Sequence, residues 1–362
     1  RASRASGSAR SNRLGRADAS AAPTPLDQVG ATPIFRGFPR ITLASSNGPR
    51  VPRILVTGAG GQIGSELVPA LRARYGADNV LSTDIRTPDP AEMRAGPFQV
   101  LDATDARAVG AAAIRFEADT IYHLAAILSA IGERDPKLAY QVNMGGTVAV
   151  LEVARDQELS VFVPSSIAAF GPTTPADGTP QDTIQRPTTM YGVTKVSGEL
   201  LCDYYHTRYG VDVRGVRFPG IISYGAPPGG GTTDWAVDIF RHAARGERYT
   251  CFLPADEKLD MMYIPDALRA TIELMEADAD RLVHRNAFNI TAMQLAPRDL
   301  AEILAERVPG FEVDYDVDPV RTEIAASWPD RIDDSAAREE WGWAPEYDVD
   351  AMVDDMLANL GG

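Results

Sequence analysis

The sequence predicts an α/β fold: a doubly wound parallel sheet covered by helices on both faces, with a smaller α+β lobe interleaved into it. Three observations carry that prediction. A glycine-rich turn, Thr57-Gly58-Ala59-Gly60-Gly61-Gln62-Ile63-Gly64, joins an apolar strand-like run, Arg53-Ile54-Leu55-Val56, to a helix-like stretch that begins near Gln62. From there to about residue 217, short β runs alternate with amphipathic helices, the pattern of a parallel sheet buried on both sides. Past Arg217 the rhythm loosens into a Gly/Pro loop, further helices and isolated short strands.

Taken in order, residues 1–50 are rich in Ala, Ser, Arg, Gly and Pro and show no sustained hydrophobic period, which predicts a disordered leader. A cytoplasmic protein is expected; eight Arg, two Asp and no Lys or Glu in that stretch also suit a mitochondrial transit peptide, which makes the mitochondrial matrix the alternative, and a truncated or over-extended reading frame is equally open. Strands are expected at 53–57, 79–84, 97–101, 119–124, 160–165 and 211–217, and helices at 62–75, 105–116, 136–156 and 189–209. The stretch Gly225-Ala226-Pro227-Pro228-Gly229-Gly230-Gly231 reads as a mobile loop. Helices near 233–246, 265–276, 297–307 and 349–359 follow it, with strands near 287–290 and 312–316. The expected division is a larger domain at 51–220, to which parts of 255–290 return, and a smaller lobe made of 221–254 and 291–362.

The whole chain carries a formal charge of −15 and its first 50 residues +6, so residues 51–362 carry −21. So acidic a body argues against nucleic acid or an anionic membrane as the main partner, because phosphate surfaces reward clustered Lys and Arg. Cys202 and Cys251 are the only cysteines, too few for a disulfide framework. The histidines, His123, His206, His242 and His284, stand far apart, so no metal site is expected. No stretch approaches the ~20 apolar residues of a membrane span.

The glycine turn points to a dinucleotide. Gly58 permits the tight turn, Gly61 lets a pyrophosphate approach the main chain, and Gly64 lets the helix lie close to the strand. Phosphate charge then meets the free N–H groups of Gln62 and Ile63 and the positive end of the helix dipole. Asp84 ends the second strand twenty residues beyond Gly64, where its carboxylate can accept hydrogen bonds from ribose hydroxyls. It would repel a 2′-phosphate, so NAD is favoured over NADP, although Arg86 keeps the latter open.

Tyr191-Gly192-Val193-Thr194-Lys195 is the second signal. Four residues apart on a helix, the phenol and the ammonium share a face, so the cation can favour the ionised phenol. A free phenol, with pKa about 10, is a poor base at neutral pH, and a bound nicotinamide's charge would lower it further.

In its G-x-x-G-x-x-G spacing and its Tyr-x-x-x-Lys, the chain resembles the extended branch of the short-chain dehydrogenase/reductase superfamily. That resemblance implies an Asp near adenine at Asp102 and a cofactor floor at Leu124, Ala125 and Ala126. It also implies a catalytic hydroxyl five residues before a Gly, which Gly171 places at Ser166, with Ser165 as its open neighbour. Ser166, Tyr191 and Lys195 then imply oxidation of a secondary alcohol, with Tyr191 taking the proton and Lys195 holding the nicotinamide ribose.

Four further stretches, Pro164–Gly171, Arg217–Ser223, Gly231–Asp238 and Ser327–Asp334, resemble the short-chain L-threonine 3-dehydrogenases, over residues from about 53 to the C-terminus. The resemblance implies oxidation of L-threonine by NAD without metal, Ile221 at the cofactor, and threonine held by Ser129, Ser166, Tyr191 and Thr232 or Thr233. It also implies a homodimer through the helices at 136–156 and 189–209. The main rival is a sugar-nucleotide epimerase or dehydratase of the same superfamily, which needs a diphosphate partner. In Leu259-Asp260-Met261-Met262-Tyr263, a Leu stands where such enzymes commonly carry Arg. A non-catalytic NAD-binding sensor is the remaining class, and the retained Tyr–Lys pair argues against it.

Overall fold

The computed structural model describes residues 50–87 and 95–361, so the leader expected at 1–50 lies outside the described residues except for Arg50. The main sheet has six strands: β1 (Ile54–Thr57), β2 (Val80–Asp84), β3 (Phe98–Val100), β4 (Thr120–His123), β5 (Ser160–Phe162) and β6 (Val213–Arg214). Their spatial order is β3-β2-β1-β4-β5-β6, and every neighbouring pair is parallel. The chain therefore walks outward from β1 to β3, then crosses back to β4 on the other side. The reversal opens a crevice beyond the carboxyl ends of β1 and β4, where α/β sheets of this kind bind ligands.

Helices α1 (Gln62–Tyr75), α2 (Ala106–Phe116), α3 (Pro136–Gln157) and α4 (Met190–Tyr209) cover the sheet. Their starts are written locally. Asp105, Asp135 and Thr189 each accept first-turn N–H groups with their side chains, and Pro136 occupies the first turn of α3, where its missing donor is harmless. All four residues of β1 are buried, and α1 lays Leu67, Val68 and Leu71 onto the core.

The runs expected at 160–165 and 211–217 are each broken in two. Ser165–Ser166 follows β5 after a gap at Val163-Pro164, and Val216–Phe218 follows β6 after Gly215. Pro164 has no N–H to give to a ladder, so the pairing lapses there. The two outer pieces pair again in parallel, and Phe288–Asn289 joins them from the far side. This kink lifts Ser165 and Ser166 to the rim of the crevice.

One three-stranded sheet was not foreseen. Gly220–Ile222 pairs in parallel with Leu259–Tyr263, which pairs antiparallel with Met293–Leu295. The helices expected in this half are present as Trp235–Ala244, Ile264–Glu276, Pro297–Arg307 and Val349–Leu360, and Val313–Tyr315 pairs with Tyr249–Cys251. Apolar side chains from both halves, Val56 and Phe162 with Trp235 and Met261 among them, belong to one continuous core. Among the described residues, no helix is long and apolar enough to cross a membrane.

Asp260 is the charged exception in the buried strand Leu259–Tyr263. Its carboxylate accepts the Thr291 hydroxyl and, at 2.9 Å, the N–H of Ile332, which ties the strand Arg331–Ile332 to the sheet. Burial pushes its carboxyl up to about 7, against the lowering pull of those two hydrogen bonds. An unfolded Asp titrates near 3.9, so between about pH 4 and 7 the folded chain holds a proton that the unfolded chain has released. This group therefore favours folding at acid pH, and its contribution is lost as pH rises through 7. Urea midpoints measured from pH 4.5 to 8 should fall more steeply for the wild type than for Asp260→Asn, which cannot ionise. Parallel curves for the two proteins would contradict this account.

Candidate active site

The crevice is a cleft of about 450 Å³, with the glycine turn at one end and Ser166, Tyr191 and Thr232 at the other. Its size suits a small organic ligand. Gly58 takes a positive φ of 72°, and a Cβ there would lie 2.6 Å from the backbone nitrogen of Ala125. A Cβ on Gly64 would lie 2.4 Å from the Gly58 carbonyl oxygen. Both positions are thus closed to any side chain, and the turn sits directly on the end of β4. No side chain caps the start of α1 at Gly61, so the first-turn N–H groups of Gln62 and Ile63 face the cleft without an intrahelical acceptor.

Asp84 is fastened to this turn. One carboxylate oxygen accepts the N–H of Gly60 at 2.9 Å and the other the N–H of Arg86 at 3.0 Å. The Arg86 guanidinium donates to the Gly60 carbonyl at 3.2 Å and lies 3.5 Å from Asp84, so a cation also stands beside that carboxylate. Leu124 and Ala126 line the cleft, while Ala125 lies beneath Gly58. Ile221 lines it too, and its carbonyl accepts the Gln62 amide at 3.1 Å. Asp102 is placed otherwise: its carboxylate accepts both the N–H and the hydroxyl of Thr104, at 2.9 and 2.8 Å, in an exposed turn that does not line the cleft.

Tyr191 and Lys195 stand on the first two turns of α4, whose start is held by Thr189 and by Glu133, which accepts the Met190 N–H at 2.7 Å. The Lys195 ammonium donates to the Pro164 carbonyl at 2.7 Å and lies 5.4 Å from the centre of the Tyr191 ring. Burial pushes the phenol up to about 12, and a hydrogen bond with Ser166 pulls it down in part. The phenol therefore stands above its ordinary value, and the group that pulls it down is Ser166 rather than the expected Lys195. Burial also brings the Lys195 ammonium down to about 8, with Glu199 resisting.

The kinked strand separates the two serines. The Ser165 hydroxyl donates inward to the Glu199 carboxylate, whereas Ser166 faces Tyr191 and accepts the Ala168 N–H at 3.2 Å. On the opposite wall, Ser129 and Thr232 meet hydroxyl to hydroxyl at 3.2 Å, and the Thr232 N–H donates to Ser129 at 3.3 Å. Thr233 lies against Gly220. Asp234 accepts the N–H groups of Gly230 and Gly231 at 2.7 and 2.8 Å, pinning one root of the Gly/Pro loop.

Sequence reasoning missed two supports. Asn143, inside α3, accepts the N–H of Ile127 at 2.8 Å and donates to its carbonyl and to the Thr194 hydroxyl at 3.1 Å each. One amide thus fixes the segment carrying Ser129 to the helix carrying Tyr191. Glu199 and Arg217 form a buried two-pronged ion pair at 3.0 and 2.8 Å, with Gln185 adding a donor at 2.6 Å. The signals were present: an Asn among small apolar residues in α3, a Glu one turn after Lys195, and an Arg inside Val216-Arg217-Phe218. Their partners, distant in sequence, were not.

The charged residues on the cleft wall are Arg86, Lys195 and Asp234 among the described residues. Leu259 is buried in its strand. Among the described residues, no group of three or more His, Cys, Asp or Glu is placed to hold a metal.

Comparison with known proteins agrees with this geometry. The profile of the NAD dependent epimerase/dehydratase family matches residues 54–291. An uncharacterized epimerase/dehydratase of Staphylococcus haemolyticus is 55% identical over 306 residues, covering 84% of this chain and 96% of that protein. An L-threonine dehydrogenase structure from Clostridium difficile superposes with a TM-score of 0.83 at 52% identity, over 86% of this chain and 98% of the other. One from Cupriavidus necator, in its holo form, gives 0.83 at 53% identity, over 85% and 100%. The doubly wound fold and the resemblance to the extended short-chain branch both hold, and with them the reading of an NAD-dependent oxidoreductase. On the matched span and the shared fold together, the chain belongs to the NAD dependent epimerase/dehydratase family.

Proposed function

We propose that the protein oxidises L-threonine at its C3 hydroxyl to 2-amino-3-oxobutanoate, reducing NAD. The observation that carries this reading is the charge of the cleft. Its substrate half offers Lys195 and Asp234 but no Arg, and the sequence position at which sugar-nucleotide enzymes commonly carry Arg is a buried Leu259. A buried diphosphate would lack the bidentate partner it requires, whereas a small zwitterion would not. Two solved L-threonine dehydrogenases at about half identity over most of the chain support the same substrate. Asp84, bound to the glycine turn, supports NAD over NADP.

In this reading Tyr191 takes the hydroxyl proton and Ser166 holds the same oxygen by a hydrogen bond. Lys195, fixed by the Pro164 carbonyl, presents its remaining N–H groups to the nicotinamide ribose. Ser129, Thr232 and Thr233 hold the amino-acid end. NAD, when bound, would supply the hydride acceptor for C3 and a positive ring charge that would oppose the effect of burial on the Tyr191 phenol. Exposed Leu138 and Tyr140 on α3, with Leu200 and Tyr204 on α4, support a homodimer through these helices.

Initial rates of NADH formation with L-threonine, D-threonine, L-serine and UDP-galactose, without added metal, test the substrate. Turnover is expected with L-threonine; activity confined to the nucleotide sugar would replace this reading with the epimerase one. Tyr191→Phe should lower kcat by roughly 10²-fold or more while calorimetry shows NAD binding unchanged. Ser166→Ala should cost kcat about 10-fold or more, whereas Ser165→Ala should mainly cost stability, by about 1 kcal/mol, by leaving Glu199 short of a donor. The reverse order of the two serine variants in kcat would move the oxygen contact to Ser165.

A further inference from the structure

Helix α1 touches more than the cofactor turn. Its first residues close the phosphate end of the cleft, and its Gln62 and Glu66, four apart on one face, both reach the stem of the Gly/Pro loop. The Gln62 amide donates to the Ile221 carbonyl at 3.1 Å and to the Ser223 hydroxyl at 2.9 Å. The Glu66 carboxylate accepts the N–H of Gly225 at 3.2 Å. The fit is close, because a Cβ on Gly225 would lie 2.9 Å from Cγ and Cδ of Glu66. From the other side the Arg241 guanidinium donates to the carbonyls of Tyr224 and Ala226, at 2.8 and 2.9 Å.

Gly225 is therefore the residue at which the loop leaves the scaffold. Its N–H is held by α1, and its neighbours' carbonyls are held by the helix Trp235–Ala244. Six residues on, the loop delivers Gly231, Thr232 and Thr233 to the cleft wall. Glu66 itself does not line the cleft. A helix moves as a rigid body, so any adjustment of its N-terminal turn to seated phosphates is carried about 6 Å along the axis to Glu66. Burial holds the Glu66 carboxyl above the usual range, with the Gly225 N–H pulling it back.

We propose that Glu66 is a positioning residue of the substrate site: through its bond to Gly225, dinucleotide seated on the glycine turn sets the stem of the 226–231 loop and hence the placement of Thr232 and Thr233. The inference rests on reading the cleft as an NAD and amino-acid site. Its mechanical part needs only the dinucleotide to be tested.

Hydrogen–deuterium exchange of peptides spanning 226–233, with and without NAD, is measured on the full chain for the wild type, Glu66→Ala and Glu66→Gln. KM and kcat for L-threonine and the Kd for NAD are measured alongside. NAD is expected to slow exchange in the wild type. Glu66→Ala should bind NAD with unchanged Kd, lose that slowing and raise the KM about 10-fold, the size of one charge-assisted hydrogen bond. Glu66→Gln, whose amide oxygen can still accept from Gly225, should restore both. Slowing and KM that survive in Glu66→Ala would overturn the proposal, as would no slowing in the wild type. A parallel loss of NAD affinity and of substrate affinity in Glu66→Ala would overturn it too, since that marks a support of the fold as a whole. Slowing by NAD in a wild type that fails to turn over L-threonine would sink the proposed substrate and leave the link standing.

Discussion

The site depends on one backbone contact, the seating of Gly58 on the end of β4 at Ala125. The turn after β1 must double back to start α1, and it does so against the main chain of the neighbouring strand, with no space for a Cβ at either Gly58 or Gly64. That contact sets the height of α1 above the sheet. Everything α1 then carries follows from it: the free N–H groups at its start, the Gln62 bond to Ile221, and the Glu66 bond to Gly225. A larger residue at Gly58 would need both a strained φ and a displaced β4, so the dinucleotide end and the loop stem would shift together.

Around this frame, burial decides the electrostatics. It pushes the Tyr191 phenol up, the Lys195 ammonium down, the Asp234 carboxyl up, and His123 down to about 3, so His123 stays neutral and bonds the Thr57 hydroxyl at 2.8 Å. In each case the neutral form is favoured because low dielectric penalises charge. Glu199 and Arg217, buried together, pair through two prongs, and the pair is completed by Ser165 and Gln185. Breaking one partner of such a pair leaves an uncompensated buried charge, which makes it a rigid floor beneath Lys195 and the kinked strand.

Much of the architecture was legible because its signals are local. The six β runs of the main sheet and the four helices over it follow from period and capping, and their observed limits differ from expectation by a few residues. The strands Gly220–Ile222 and Met293–Leu295 were not legible, because three-residue runs have no period to read and exist only through pairing with Leu259–Tyr263. The breaks near Pro164 and Gly215 belong to the same class: each run looks continuous alone, and only side-by-side pairing shows where the ladder lapses. In the site, the choice between Ser165 and Ser166 turned on that kink, and the exposed turn that occupies Asp102 depends on its bonds to Thr104.

By itself the sequence determined the doubly wound sheet, the dinucleotide turn, the Tyr191–Lys195 pair on one helix face and the missing Arg at Leu259. All are short-range facts: a glycine that no side chain can replace, a helical spacing, a residue type at one position. Only the tertiary structure decided which serine faces the phenol, that burial raises the phenol, and that α1 grips the loop at Gly225. Those outcomes depend on groups far apart in the chain, Glu66 with Gly225 and Glu199 with Arg217, whose meeting is set by how the sheet twists and the helices pack. Hydrogen bonds and desolvation act over a few ångströms of space, and sequence spacing measures that distance only within a turn or two of the same helix or strand.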